Sequence, residues 1–368
     1  MTSPKILVMG ATGKTGTAVV EQLRERDWPV RAIVHRADAR SERLQRLGAE
    51  IAVADIFDTE QLSAAMRGTR RAYYCPPFDP FLIQSVAAFA VAAQEAKLES
   101  IAGLSQWLAS PAHPSLMSRQ HWLADRVFSM IPGVAYTIVN PGFFAASYMS
   151  LIQFAAQLGT FPLPVDGESR NAPPSNEDIA RVAVAALIDP AKHAGKSYRP
   201  TGPEMLSVNE MVGILSRVLN RKVRHMKTPM WMFYKAARMA DMPPLLLAGF
   251  RHYFQDHNRG AFEFGAPTND VLEVTGRQPE TFETIARRYA ALPEARQTLG
   301  NALRAFAGFM ATPFLPGFDP EKFDRKQFHP IPPVPRLALD SERWRREHSR
   351  SPSTGQTPAR SIDARRSA

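Results

Sequence analysis

Three glycines at spacing three, in Gly10-Ala11-Thr12-Gly13-Lys14-Thr15-Gly16, are the residues whose type and order most directly imply chemistry. They follow at once on Lys5-Ile6-Leu7-Val8, an apolar run of strand length, and a helical pattern begins after them. Strand, glycine turn and helix in that order make a phosphate site from main-chain atoms. The first N–H groups of a helix lack intrahelical partners, and the helix dipole adds positive potential there. Gly10 permits a sharp turn, Gly13 lets the backbone approach a pyrophosphate, and Gly16 lets the helix pack close to the strand. Gly13-Lys14-Thr15 also looks like the end of a P-loop, but that loop needs a glycine where Val8 stands, so the triphosphate reading fails. A second group lies farther on. His121 and Asp125 are four residues apart on one helix face, so the carboxylate can orient or charge the imidazole. Cys75 reads as a small core residue rather than a nucleophile, and the histidines show no paired metal-ligand spacing.

The elements that must position these residues alternate. Helix 1 runs from Gly16 to Arg26, strand 2 from Val30 to Val34, and a helix from Ser41 to Leu47. Strand 3 is Ile51 to Val53, and Asp58 caps the helix that follows. Strand 4 is Arg71 to Cys75, then comes a long helix from Phe81 to Lys97 and strand 5 from Ile101 to Leu104. Ser118 to Met130 is helical and Ala135 to Val139 is strand 6. This alternation predicts an α/β fold, a doubly wound parallel sheet with helices on both faces. Ligands in such sheets bind beyond the carboxyl ends of the strands. The cofactor candidates are therefore Gly10 to Gly16, Arg36, Asp55 with Ile56, Pro76, and Asn140-Pro141-Gly142-Phe143. Trp107 and Phe144 are the candidates for the substrate pocket, Trp107 as a ring on which a substrate stacks. At the end of strand 2 an acid would hold the ribose 2′-OH of NAD and a base the 2′-phosphate of NADP. Arg36 stands there, with Lys14 and Arg40 nearby and no acid until Asp38, which favours NADP(H) over NAD(H).

Residues 1–150 read as the nucleotide-binding domain, with 175–203 returning to it, and 151–300 as a smaller α+β substrate subdomain. In the latter, Ser207 and Glu210 form a capping box. The aromatic residues of 228–264 suit a lid or a homodimer surface. Residues 301–339 read as an extension and 340–368 as a disordered basic tail. The formal charge is +10, but the basic residues are scattered rather than clustered with aromatics, which argues against a nucleic-acid partner. No apolar window approaches a membrane span, so no membrane partner is expected. The lone cysteine and the lack of a signal pattern predict a cytoplasmic protein with a small-molecule substrate.

The GxxGxxG turn, Arg36, Asp55 after strand 3, Ser105 after strand 5 and the Pro141-Gly142-Phe143-Phe144 loop occur in an order that resembles the NmrA-like atypical short-chain dehydrogenase/reductase family. The resemblance covers residues 5 to about 290. It implies a Rossmann fold, an adenine contact at Asp55, and a nicotinamide near Val139-Asn140-Pro141-Gly142-Phe143-Phe144. Ser105 matches the superfamily's strand-5 serine, and His121 falls where members carry a lysine or another polar residue. His121, Asp125 and Ser105 are thus the catalytic candidates. The ordinary members use Tyr-x-x-x-Lys, whose lysine lowers the tyrosine pKa. Four positions after the tyrosines of this chain stand Pro77, Phe78, Asn140, Ile152, Gly202, Arg238, His257 and Pro293, so that pair is absent. Members of the family include quinone and azo reductases and non-catalytic redox sensors. Two functions follow: an NADPH-dependent reductase of a small apolar electrophile, or an NADP(H)-sensing regulator that binds a protein partner without turnover.

Overall fold

In the computed structural model, which describes residues 3–75, 77–327 and 329–349, the apolar run at the N-terminus is buried on both sides. Ile6 and Val8 point into one core cluster and Leu7 and Met9 into another. A strand buried on both faces carries apolar residues without alternation, which is why this one reads as a continuous run. It is β1 (Lys5–Val8), the centre of a parallel sheet with β2 (Val30–Val34), β3 (Glu50–Val53), β4 (Thr69–Tyr74), β5 (Ser100–Leu104) and β6 (Ala135–Val139). After β7 (Thr160–Leu163) and β8 (Arg170–Asn171), β9 (Ser197–Tyr198) closes the edge, and the order is β3-β2-β1-β4-β5-β6-β9. The chain winds outward from β1 in one direction, returns, and winds outward in the other. The switch lies between β1 and β4, where open α/β sheets bind ligands.

Helices cover both faces. On one lie α1 (Lys14–Arg24) and, much later in sequence, α8 (Asn176–Ile188). Val19, Val20 and Leu23 of α1 are fully buried there, each contributing about 1.5–3 kcal/mol. On the other face lie α3 (Thr59–Met66), α4 (Leu82–Glu95) and α5 (Leu116–Ser129). The helix α2 (Ala39–Arg46) starts two residues before the sequence pattern suggests, because Asp38 caps it through the N–H groups of Arg40 and Ser41.

A second core follows α6 (Ala145–Met149) and α7 (Ile152–Leu158). Two small ladders support it: β10 (Leu206–Ser207) runs antiparallel to β8, and β11 (Arg224–Lys227) parallel to β7. Ser207 and Glu210 do form the capping box of the helix Val208–Val218.

The C-terminal segment departs from expectation. Disorder is predicted from residue 340, yet Glu342–His348 is a helix capped by Ser341, and Trp344 is fully buried. The rest of the predicted tail, 350–368, lies outside the described residues. One tryptophan among charged residues gives no periodicity to read. The burial is nevertheless substantial: the Trp344 indole N–H donates to the Trp107 carbonyl (2.9 Å), and His348 stacks on the Trp344 ring at 3.9 Å. The segment is tied down along its length. Arg336 N donates to Ala112 O (2.8 Å), Ala338 N donates to Asp256 Oδ1 (2.9 Å), and Arg259 forks onto Asp340 (2.6 Å).

Trp344→Ala is predicted to lower the stability of the whole chain by about 3–5 kcal/mol, as large aromatic truncations in cores do. Urea unfolding measures it, and a loss below about 1 kcal/mol would show that this segment is not part of the core.

Candidate functional site

The glycine turn is built where the sequence places it, and its geometry explains each glycine. Gly10 has φ +72°, and a Cβ there would meet the Cys75 carbonyl oxygen at 2.0 Å. A Cβ on Gly16 would sit 2.1 Å from the Gly10 carbonyl oxygen. The turn therefore presses against the end of β4 on one side and against its own helix on the other. Gly13 is the N-cap of α1 and brings no side chain to the cap, and the first helical turn carries no acid. Gly13 and Lys14 are exposed, while Ala11, Thr15 and Gly16 are buried. Thr17 Oγ1 donates to Ala11 O (2.9 Å) and Thr15 Oγ1 to Asn176 Oδ1 (3.3 Å), which fix the turn, including Thr12, from below and from α8. An uncapped helix start with a side-chain-free approach fits a pyrophosphate.

The other strand ends surround this turn. Arg36, after β2, is exposed and has no ion-pair partner among the described residues. Arg40, by contrast, is held by Asp38 (2.7 Å), and its hydrogen bond lowers the carboxylate's pKa. Asp38 is thereby committed to its cap. Asp55 is exposed, its Oδ1 accepting from Phe57 N (2.9 Å), and Ile56 is half-buried against the α3–α4 core. Pro76 lies outside the described residues. Asn140 Oδ1 accepts from Ser197 Oγ (3.2 Å), and Pro141 and Gly142 are buried. Burial pushes the Cys75 thiol up to about 11, which removes it as a nucleophile.

His121 and Asp125 share a helix face but not a hydrogen bond, so the expected coupling is corrected. Asp125 accepts from Ser105 Oγ (2.7 Å) and Tyr136 OH (2.8 Å). His121 Nδ1 faces Gln106 Nε2 (2.9 Å) and the Met117 carbonyl (2.8 Å). The reason is the position of β5: Ser105 and Gln106 leave the sheet side by side, and each captures one of the two. Gln106 Oε1 accepts from Ser118 Oγ (3.4 Å) and from Tyr253 OH, which turns its NH2 group toward the imidazole. Burial lowers the His121 pKa, so the ring is neutral. Both contacts are to Nδ1, and Nε2 has no partner among the described residues. Burial raises Asp125 to about 6, against the two hydroxyl donors that lower it.

Two further expectations change. Trp107 is not a surface on which a substrate stacks. It is buried, its indole donates to Ala261 O (2.8 Å), and the Arg199 guanidinium lies 5.4 Å from its ring centroid. Phe143 likewise turns its ring into an aromatic cluster with Tyr148, Phe250, Tyr253 and Phe262. Phe144 is half-buried at the start of α6. The residues missed are Tyr136 and the buried Tyr148–His257 pair (2.6 Å) beneath the Phe143 loop. Gly103 was the available signal for Tyr136: a Cβ there would meet its hydroxyl at 2.3 Å, and a glycine inside a buried strand marks such an approach.

A model of the NmrA-like family matches residues 2–103. An NAD(P)H azoreductase of Xenophilus azovorans is 31% identical over 291 residues, which covers 78% of this chain and 98% of that protein. The chain belongs to the NmrA-like family. Its fold is similar to that of an NADPH-dependent quinone oxidoreductase from Escherichia coli solved with NADPH (TM-score 0.65, 21% identity, 77% of this chain and 99% of that one). It is also similar to NmrA, a negative transcriptional regulator solved with NAD (TM-score 0.63, 19% identity, 78% of this chain and 95% of that one). Both of those structures were solved with a nicotinamide dinucleotide, and the glycine turn described above is a site of the kind such cofactors require.

Asp125→Asn tests the buried carboxylate. Its folded pKa, about 6, lies above the ordinary carboxylate value of 3.8, so between those values the folded state holds the proton more tightly. Stability from this group is present below about pH 4 and is lost as pH rises through 6. The stability of Asp125→Asn relative to the parent is predicted to improve by up to about 3 kcal/mol between pH 4 and pH 7. Urea melts at both pH values measure it, and a difference that does not move with pH contradicts the assignment.

Proposed function

We propose that the protein is an NADPH-dependent reductase of a small, flat, apolar electrophile such as a quinone or enone. The observation that carries this reading is the side-chain-free turn at the β1–β4 switch point, where Gly10 and Gly16 leave no room for a Cβ and α1 begins uncapped. The azoreductase relative, matched over almost its whole length, supports the same class of reaction.

In this reading the first turn of α1 holds the pyrophosphate, Arg36 and Lys14 hold the 2′-phosphate, and Asp55 meets the adenine end. The backbone of Asn140 to Gly142 borders the nicotinamide, and Phe144 borders the substrate. The cofactor supplies a hydride, and a proton from solvent completes the reduction. His121 stays neutral and presents Nε2 to the site as a hydrogen-bonding group rather than as a charged acid. Gln106 and the Met117 carbonyl hold the ring through Nδ1. Ser105, Asp125 and Tyr136 are positioning residues: the buried carboxylate holds the β5 loop through Ser105 and β6 through Tyr136. With no tyrosine–lysine pair, orientation and exclusion of water carry most of the work.

The second reading, a cofactor-sensing regulator, draws on the same network. Ser105, Asp125 and Gln106 are already satisfied within the protein, as in a site that binds without turnover.

Steady NADPH oxidation across a panel of quinones and enones separates the two. Turnover is expected; micromolar NADPH binding with no turnover on any of them favours the sensor. Arg36→Ala is predicted to weaken NADPH about tenfold, or about 1.4 kcal/mol, and to leave NADH unchanged. His121→Ala is predicted to lower kcat about tenfold or more at unchanged cofactor affinity. If it changes neither binding nor turnover, His121 is outside the site.

A further inference from the structure

The helix Leu299–Ala311 is apolar on two sides but buried on one. Ala305 is its buried residue, and Phe309 packs on Phe154. A second side carries Leu299, Leu303, Phe306 and Met310, at spacings of four, three and four, each more than half exposed. Phe314, one turn beyond, is 87% exposed. Single exposed apolar residues are ordinary, but a contiguous stripe of large ones marks a surface that something covers.

Charge selects the occupant. Residues 295–318 contain no Asp or Glu, and neither does the helix Met230–Met239. The two segments are joined: Lys235 Nζ donates to Pro313 O, and Arg238 Nη1 to Gly317 O (2.8 Å). Lys235, Arg238 and Arg304 have no carboxylate partner among the described residues. The helix Met230–Met239 also exposes Trp231 and Met239 by about half. Two copies of this face brought together would set Lys235, Arg238 and Arg304 against their own kind, with acids only at the ends of the two segments, at Asp241, Glu294 and Asp319. An anionic lipid surface supplies both the opposite charge and an apolar medium for the stripe.

We propose that this face docks on an anionic lipid surface, with the stripe from Leu299 to Met310 and Phe314 entering the headgroup boundary and Lys235, Arg238 and Arg304 meeting lipid phosphates. No described helix is long and apolar enough to cross a membrane, so the contact is one-sided. The absence of a spanning window, from which no membrane partner was expected, bears on crossing and not on docking. The proposal is independent of what the nucleotide site does.

Co-sedimentation of the full chain, with NADPH present, against vesicles of phosphatidylcholine alone and of phosphatidylcholine with phosphatidylserine tests it. Binding to the serine-containing vesicles is expected to be about tenfold stronger and to weaken as salt is raised. The double variant Leu303→Glu/Phe306→Glu is expected to lose about tenfold or more in partitioning, with an unchanged melting midpoint because both side chains already face solvent. Should that variant melt early, Phe314→Glu carries the same expectation at about threefold. Three results overturn the proposal: no sedimentation of the parent with either vesicle, undiminished binding of the folded glutamate variants, or a dimer in sedimentation equilibrium that the same glutamates abolish, which would give the face to a second copy.

Discussion

Everything at the nucleotide end rests on a contact between two stretches of main chain. Gly10 lies so close to the carbonyl of Cys75 that no side chain fits between them, and Gly16 closes on Gly10 in the same way. The turn is therefore fixed by backbone on both sides. This has two effects at once. The N-terminus of α1 is held at the switch point of the sheet, and the space in front of it is left free of side chains. A phosphate there meets N–H groups that are already in place, which keeps the ordering cost of binding low. Asn176 on α8 buttresses the same turn through Thr15, so a helix distant in sequence also contributes to its rigidity.

The polar cluster at the ends of β5 and β6 has a different character. It is almost wholly internal. Asp125 ties Ser105 to Tyr136, and Gln106 ties α5 to the helix Pro244–Asn258 through Tyr253. Buried polar groups of this sort are costly unless each is paired, and when paired they fix one arrangement. Here the cluster fixes the seam between the sheet and the second core. His121 is the member of the cluster with a ring nitrogen left over. That asymmetry, more than any perturbed pKa, separates it from its neighbours.

The sheet was legible in the sequence because buried strands and amphipathic helices leave periodic marks. The boundaries of β2 and β6 fall on the residues the pattern predicts. Gly10, Gly13 and Gly16 were legible for a related reason: a missing Cβ is a direct statement about space. The pairing within the polar cluster was not. Helical spacing puts His121 and Asp125 on one face, but it says nothing about what the adjacent strand offers, and Ser105 and Gln106 competed successfully for both. Trp107 was misread because an aromatic residue after a strand looks the same whether it meets a ligand or a second tryptophan. Its partner, Trp344, lies in a segment whose composition is that of a disordered tail, and one large side chain was enough to override that composition.

That pairing also bears on how the protein comes to be assembled. The carbonyl of Trp107, at the root of the β5 loop, finds its donor 237 residues later in the chain. Contacts between such distant residues close large loops and form late. On a ribosome, the nucleotide-binding sheet is complete long before Trp344 emerges, and until then Trp107 lacks the cover over its carbonyl. The second core thus reaches its final packing only once Trp344 has emerged. Premature termination would release a chain with an ordered Rossmann sheet and an exposed aromatic seam, the kind of surface that chaperones and proteases recognise.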